Sequence, residues 1–213
     1  MSVAFNSGPS SASSSVSSSG RRPVVLVHGI WNTAGIFTFL QQYLESAGWP
    51  VYALSMTPNN GDAPIEVLAQ QVADFVETSL GPVTSFDLVG FSMGGLTSRY
   101  YLQRLGGLGR VGTFVAVCAP HRGTALAFGS DRPGVCQMRP NSAFLADLNR
   151  DIHRLNEIRV FSFWTLLDTL ILPPWSSRLP LGDAQRLNVS SHNRMIQDER
   201  GLRAIAQALS TQN

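Results

Sequence analysis

Lysine is absent from the 213 residues, so all sixteen basic side chains are arginine; against fourteen acids they leave a formal charge of +2. The arginines are scattered rather than gathered into a stripe, which is unlike the footprint of a nucleic-acid-binding protein. Cysteine occurs twice, as Cys118 and Cys136. Cys118 ends an apolar run and reads as a packed free thiol, with a bridge to Cys136 as the alternative. No cluster of residues has metal-ligand spacing, so neither a metal nor a cofactor is expected. The chain opens with no basic stretch leading into an apolar core, and no apolar run approaches the roughly 20 residues that cross a bilayer. Those absences predict a soluble, cytoplasmic protein.

What is present is enough apolar material, 44% of the residues, to close one substantial core but hardly two. The first twenty residues are dominated by serine and glycine and hold too little apolar surface to offset the entropy of ordering, so 1–20 is expected to be a disordered tail. From residue 21 onward, short aliphatic runs read as strands buried on both faces: 23–27, 51–54, 85–89, 111–118, 159–164 and 184–189. Helical patterns over 37–46, 64–80, 94–105 and 197–209 lie between them. In the second, Asp62 and Pro64 fit the start, Ile65, Leu68, Val72, Phe75 and Val76 form the apolar face, and Gly81 the stop. Strands alternating with helices predict one α/β domain over 21–213, with about six mostly parallel strands and helices on both faces. Reacting groups in such a sheet gather at the carboxyl ends of the strands.

The strongest motif is Gly90-Phe91-Ser92-Met93-Gly94-Gly95, directly after a strand and directly before a helix. A strand that turns at once into a helix strains the residue at the tip, and flanking glycines let the turn close. Ser92 is thereby offered as a nucleophile, with the free N–H groups of the helix behind it. A second strand runs into His28-Gly29-Ile30, where a loop can aim a backbone N–H at the same point. Ile30 and Met93 are therefore the expected oxyanion-hole donors, and His28 is read as a side chain that fixes the loop.

Four histidines are available as base: His28, His121, His153 and His192. His192 leaves the last strand on a loop that can reach back over Ser92; His121 comes too early, and His153 lies in a polar, solvated stretch. The acid should leave the end of the preceding strand, which favours Asp168 over Asp183, on a Gly-Asp turn, and Asp198, at the start of the last helix.

These landmarks, with VVLVHGI at 24–30, VAVCAPHRGT at 115–124, Asp168 before Pro173-Pro174, and His192 before the last helix, resemble the compact triacylglycerol lipases of bacteria within the α/β-hydrolase superfamily. The resemblance runs from about Pro23 to Leu209. It implies Ser92, Asp168 and His192 as catalytic residues, Ile30 and Met93 as oxyanion donors, no cofactor and no obligate protein partner. It also implies an ester substrate and allows transient contact with lipid surfaces. An apolar rim of Trp31, Phe37, Leu170, Ile171, Leu172 and Trp175 would accept an acyl chain, although leucine and isoleucine are routinely buried instead. The segment 123–141 is too short and too rich in glycine, proline and arginine for a large lid. Two other readings stay open: a phospholipase or thioesterase on the same fold, and a binding protein that has lost catalysis.

Overall fold

Each aliphatic run forms a strand because it is covered on both faces, which is where β-branched side chains pack best. In a computed structural model, which describes residues 20–211, these strands are β1 (Val24–Val27), β2 (Val51–Leu54), β3 (Phe86–Phe91), β4 (Val111–Val117), β5 (Arg159–Trp164) and β6 (Asp183–Arg186). The Ser-rich tail, apart from Gly20, lies outside the described residues. The six strands form one sheet in the order β2-β1-β3-β4-β5-β6, and every neighbouring pair is parallel. The expected parallel α/β sheet is therefore the observed one.

The two-residue alternation along the strands divides the interior in two. Val25, Val27, Leu88, Phe114 and Ala116 face one side, where they meet α2 (Ile65–Leu80) and α3 (Met93–Arg104). Val24, Leu26, Val89, Phe91, Val115 and Val117 face the other, against α1 (Thr38–Ser46) and α6 (Glu199–Ser210). Among the described residues no helix is long and apolar enough to cross a membrane.

Several expectations need correction. Two short helices, α4 (Pro133–Gln137) and α5 (Ala143–Arg150), occupy sequence that carries no clear helical period. Strand β6 stops at Arg186, so residues 187–191 are loop. Asp62 does not cap α2: it pairs with Arg132 at 2.8 Å, and the Ile65 N–H donates instead to Gln137 Oε1 at 2.6 Å. Phe37 belongs to no rim, being buried in the core beside α1. Cys118 and Cys136 are both free thiols, Cys118 buried, so the bridge does not form.

Candidate active site

Strand β3 passes into α3 with a single residue, Ser92, at the corner. Its backbone stands at φ 57° and ψ −128°, a region that side-chain-bearing residues rarely occupy and that persists only where surrounding structure enforces it. The enforcement is visible. Ser92 N–H donates to Val117 O at 2.9 Å, and Ser92 O accepts from Gly95 N–H at 2.9 Å. The helix start is pressed so tightly onto the end of β1 that a Cβ at Gly94 would lie 2.2 Å from Val27 O. Gly90 and Gly95 are likewise closed against their surroundings, the first by the Gly95 Cα at 2.6 Å and the second by the Ala119 Cβ at 2.3 Å.

The loop after β1 supplies the facing wall. His28 is buried, its Nε2 accepts from Met56 N–H at 2.8 Å, and its Nδ1 therefore carries the proton and donates to Gly29 O at 2.8 Å. Burial lowers its pKa, the bond to Gly29 opposing, so the ring is a neutral brace between this loop and the end of β2. Trp31 N–H donates to Asn59 O at 2.6 Å, and Asn32 Nδ2 holds Ile30 O at 2.9 Å. Among the described residues the N–H groups of Ile30 and Met93 have no acceptor, which leaves both able to receive a substrate oxygen. Gly29 is a requirement that sequence reasoning passed over: a Cβ there would sit 2.7 Å from Ser92 Cβ.

Asp168 and His192 meet at the other wall. Thr165 Oγ1 donates to Val189 O at 2.6 Å, and Leu187 N–H to Trp164 O at 2.8 Å, so the chain after β6 is tied to the end of β5. This brings His192 Nδ1 within 2.7 Å of Asp168 Oδ2, with both residues only 4% exposed. The second carboxylate oxygen accepts the N–H groups of Leu170 and Ile171, each at 2.9 Å. Burial alone would raise the Asp168 pKa; the hydrogen bond and charge of His192, with those two N–H groups, outweigh it and hold the carboxyl below its ordinary value. With Nδ1 engaged, His192 Nε2 is the free nitrogen of the ring.

Ser92 and His192 line one cavity of about 500 Å³, together with Ile30, Trp31, Leu170 and Ile171. Its lining is mainly apolar, with the serine and the imidazole among its few polar groups. Ser92 Oγ and His192 Nε2 are not hydrogen-bonded to each other in this structure, a contact of the kind that tightens when substrate binds. Of the expected rim, Trp31, Leu170 and Ile171 line the cavity; Trp175, which is exposed, and Leu172, which is half-buried, do not. The rejected histidines lie elsewhere: His153 is exposed, and His121 is buried with neither ring nitrogen partnered. Asp198 caps α6, accepting from Arg200 N–H at 3.0 Å, and Asp183 is exposed at the start of β6.

Two further neighbours were not legible from sequence. Thr124 Oγ1 donates to Leu170 O and accepts from Leu172 N–H, at 2.8 and 2.9 Å, clamping the loop that carries Asp168. The Cys118 thiol, the Asp168 carboxylate and the His192 ring offer donor atoms within 4.8 Å of one another. That set does not fit a metal ion. Acid and imidazole are already bonded to each other, and the thiol, raised well above its ordinary pKa by burial and then by Asp168, is held protonated when a metal would need the thiolate. Cys118 packs beneath the acid instead.

A family model built for palmitoyl protein thioesterases matches residues 23–129, just over half of the chain and the part that carries the Ser92 corner and the His28 loop. The chain belongs to the palmitoyl protein thioesterase family. This family member is also similar to a triacylglycerol lipase of Burkholderia plantarii, 30% identical over 127 residues, which are 56% of this chain and 35% of that protein. Palmitoyl-protein thioesterase 3 of Dictyostelium discoideum is 31% identical over 91 residues, 40% of this chain and 32% of that protein. The chain thus spans about a third of the length of the curated relatives it matches. Among solved structures, lipase B of Aspergillus fumigatus superposes with a TM-score of 0.76 at 18% identity, over 91% of this chain and 54% of that one. A mature-form lipase of Bacillus licheniformis gives 0.73 at 14% identity, over 89% and 92%. At those identities the likeness establishes the α/β-hydrolase fold alone.

Proposed function

We propose that this member of the palmitoyl protein thioesterase family hydrolyses carboxylic esters of apolar acyl groups through an acyl-enzyme on Ser92. The observation that carries the reading is the buried Asp168–His192 hydrogen bond beside a cavity into which a strained serine opens. Ser92 Oγ attacks the acyl carbonyl while His192 Nε2 takes its proton. Asp168 keeps the other ring proton on Nδ1 and stabilises the imidazolium. The N–H groups of Ile30 and Met93 receive the carbonyl oxygen as it becomes an anion. His192 then protonates the leaving alkoxide, and water enters by the same route to release the acid and restore Ser92. No step requires a cofactor.

A second reading, thioester hydrolysis, is favoured by the family match itself. It differs only in the leaving group, since a thiolate replaces the alkoxide while the acyl half and its cavity are shared. Labelling with a fluorophosphonate probe, lost in Ser92→Ala, tests the shared chemistry; native protein that takes no label overturns it. Relative kcat/KM for p-nitrophenyl esters of increasing chain length, against S-acyl substrates of the same length, then separates the two readings.

A further inference from the structure

Seven of the ten large apolar side chains that are exposed among the described residues stand on the loops after β1, β4 and β5, and three of them, Trp31, Leu126 and Leu170, line the cavity. Trp31, Phe128 and Trp175 are the largest, at 69%, 63% and 52% exposure. The loops form one rim. Arg122 N–H donates to Ser176 O at 3.2 Å and Ala125 N–H to Leu172 O at 2.8 Å, joining the β4 loop to the β5 loop. Trp31 and Leu126 line the same cavity from two of these loops. A contiguous exposed apolar surface of this kind marks an interaction site.

The unpaired charge on the same loops is of one sign. Arg122 and Arg178 lie on the joined β4 and β5 loops and Arg194 follows the cavity-lining His192 and Asn193; all three are exposed, and among the described residues none pairs with a carboxylate. The exposed acids near the mouth, Asp62 and Asp131, are already taken by Arg132 and Arg139 at 2.8 and 2.7 Å. On the α3–α5 face the pattern is the opposite, with Arg104, Arg150 and Arg154 neutralised by Asp147, Asp151 and Glu157. Arg178 lies 6.0 Å from the centre of the half-buried Trp164 ring.

We propose that this rim docks on an anionic lipid surface, Arg122, Arg178 and Arg194 engaging its charge while Trp31, Phe128 and Trp175 enter its apolar boundary. Indole and phenyl side chains partition to the headgroup level, and arginines near a negative leaflet are attracted to it. An acidic protein would satisfy the arginines, but would leave the apolar side chains that stand on three separate loops without a common partner. A bilayer surface takes both. The cavity mouth at the centre of the rim would then face acyl chains, the one point at which the proposal rests on the proposed reading of Ser92.

Sedimentation of the full chain with vesicles of phosphatidylcholine, alone or mixed with phosphatidylglycerol, tests this. The mixed vesicles should bind about tenfold more tightly or better, and the difference should shrink in high salt. The triple variant Arg122→Gln, Arg178→Gln, Arg194→Gln should lose most of that preference, while Phe128→Ser with Trp175→Ser should weaken binding to both compositions. Without vesicles, fluorophosphonate labelling of the arginine variant should be unchanged, which confirms that it folds. Ser92→Ala should bind vesicles normally, so a failure of the hydrolase reading stays separate from a failure of docking. Equal binding to both compositions, no binding, an unaltered triple variant, or capture by polyglutamate in place of vesicles would each overturn the proposal.

Discussion

Asp168 divides its two oxygens between two tasks, one accepting backbone N–H groups and the other holding His192. The division gives Asp168→Asn a specific consequence. An asparagine can still accept from Leu170 and Ile171, but it turns its NH2 group toward His192 Nδ1 and forces the ring proton onto Nε2, the nitrogen proposed to act as base. The expected loss in kcat is about 10⁴-fold with KM nearly unchanged, since geometry survives and only the tautomer is wrong. Steady-state kinetics on a p-nitrophenyl ester checks it, and a loss smaller than tenfold would remove Asp168 from the mechanism. Folding linkage points the same way: a carboxyl held below its ordinary pKa stabilises the fold above its unfolded value, and that contribution is lost as pH falls through the folded one.

Among the elements, the corner between β3 and α3 has the least room. A methyl group at Gly94 would meet Val27 O at 2.2 Å and His28 O at 2.5 Å, both backbone atoms that cannot swing aside. Gly94→Ala should therefore cost about 2–3 kcal/mol by overpacking and abolish probe labelling. Gly109→Ala, where nothing lies within 4 Å, should leave the urea midpoint unmoved. The same corner was readable in the sequence because its constraint is local: glycines flank the serine, a buried run precedes it and a helical pattern follows. The strands were legible for a related reason, since strands covered on both faces leave continuous aliphatic runs. Helices α4 and α5 were not, being a turn or two long in sequence broken by Pro133, Gly134 and Pro140. Ser92, Asp168 and His192 could be proposed from sequence because each follows a strand in chain order. The closeness of Gly29 to Ser92, of Cys118 to Asp168 and of Thr124 to Leu170 is set by which strands are neighbours, and no spacing along the chain records that.

For the molecule as a whole, two buried imidazoles add to the response to acid. His121 is held well below its ordinary 6.5, first by burial and then by the charge of Arg99. Arg99 is itself buried, bonded to Leu148 O at 2.7 Å, and pushed down to about 9 by burial. His28 is lowered by burial too. Both rings stay neutral in the fold while the unfolded chain protonates below 6.5, so stability is full above that pH and declines as pH falls from there toward the folded values. The melting temperature should drop between pH 7 and pH 5, and His121→Gln should make the drop shallower; an unchanged slope would assign the acid response to other groups. Because β1, β3, β5 and the loop after β6 each bring one part of the centre, a chain emerging from the ribosome presents its nucleophile a hundred residues before its base. On the proposed mechanism the nascent polypeptide cannot cleave acyl bonds until the segment carrying His192 docks, and a product truncated before residue 192 stays inactive.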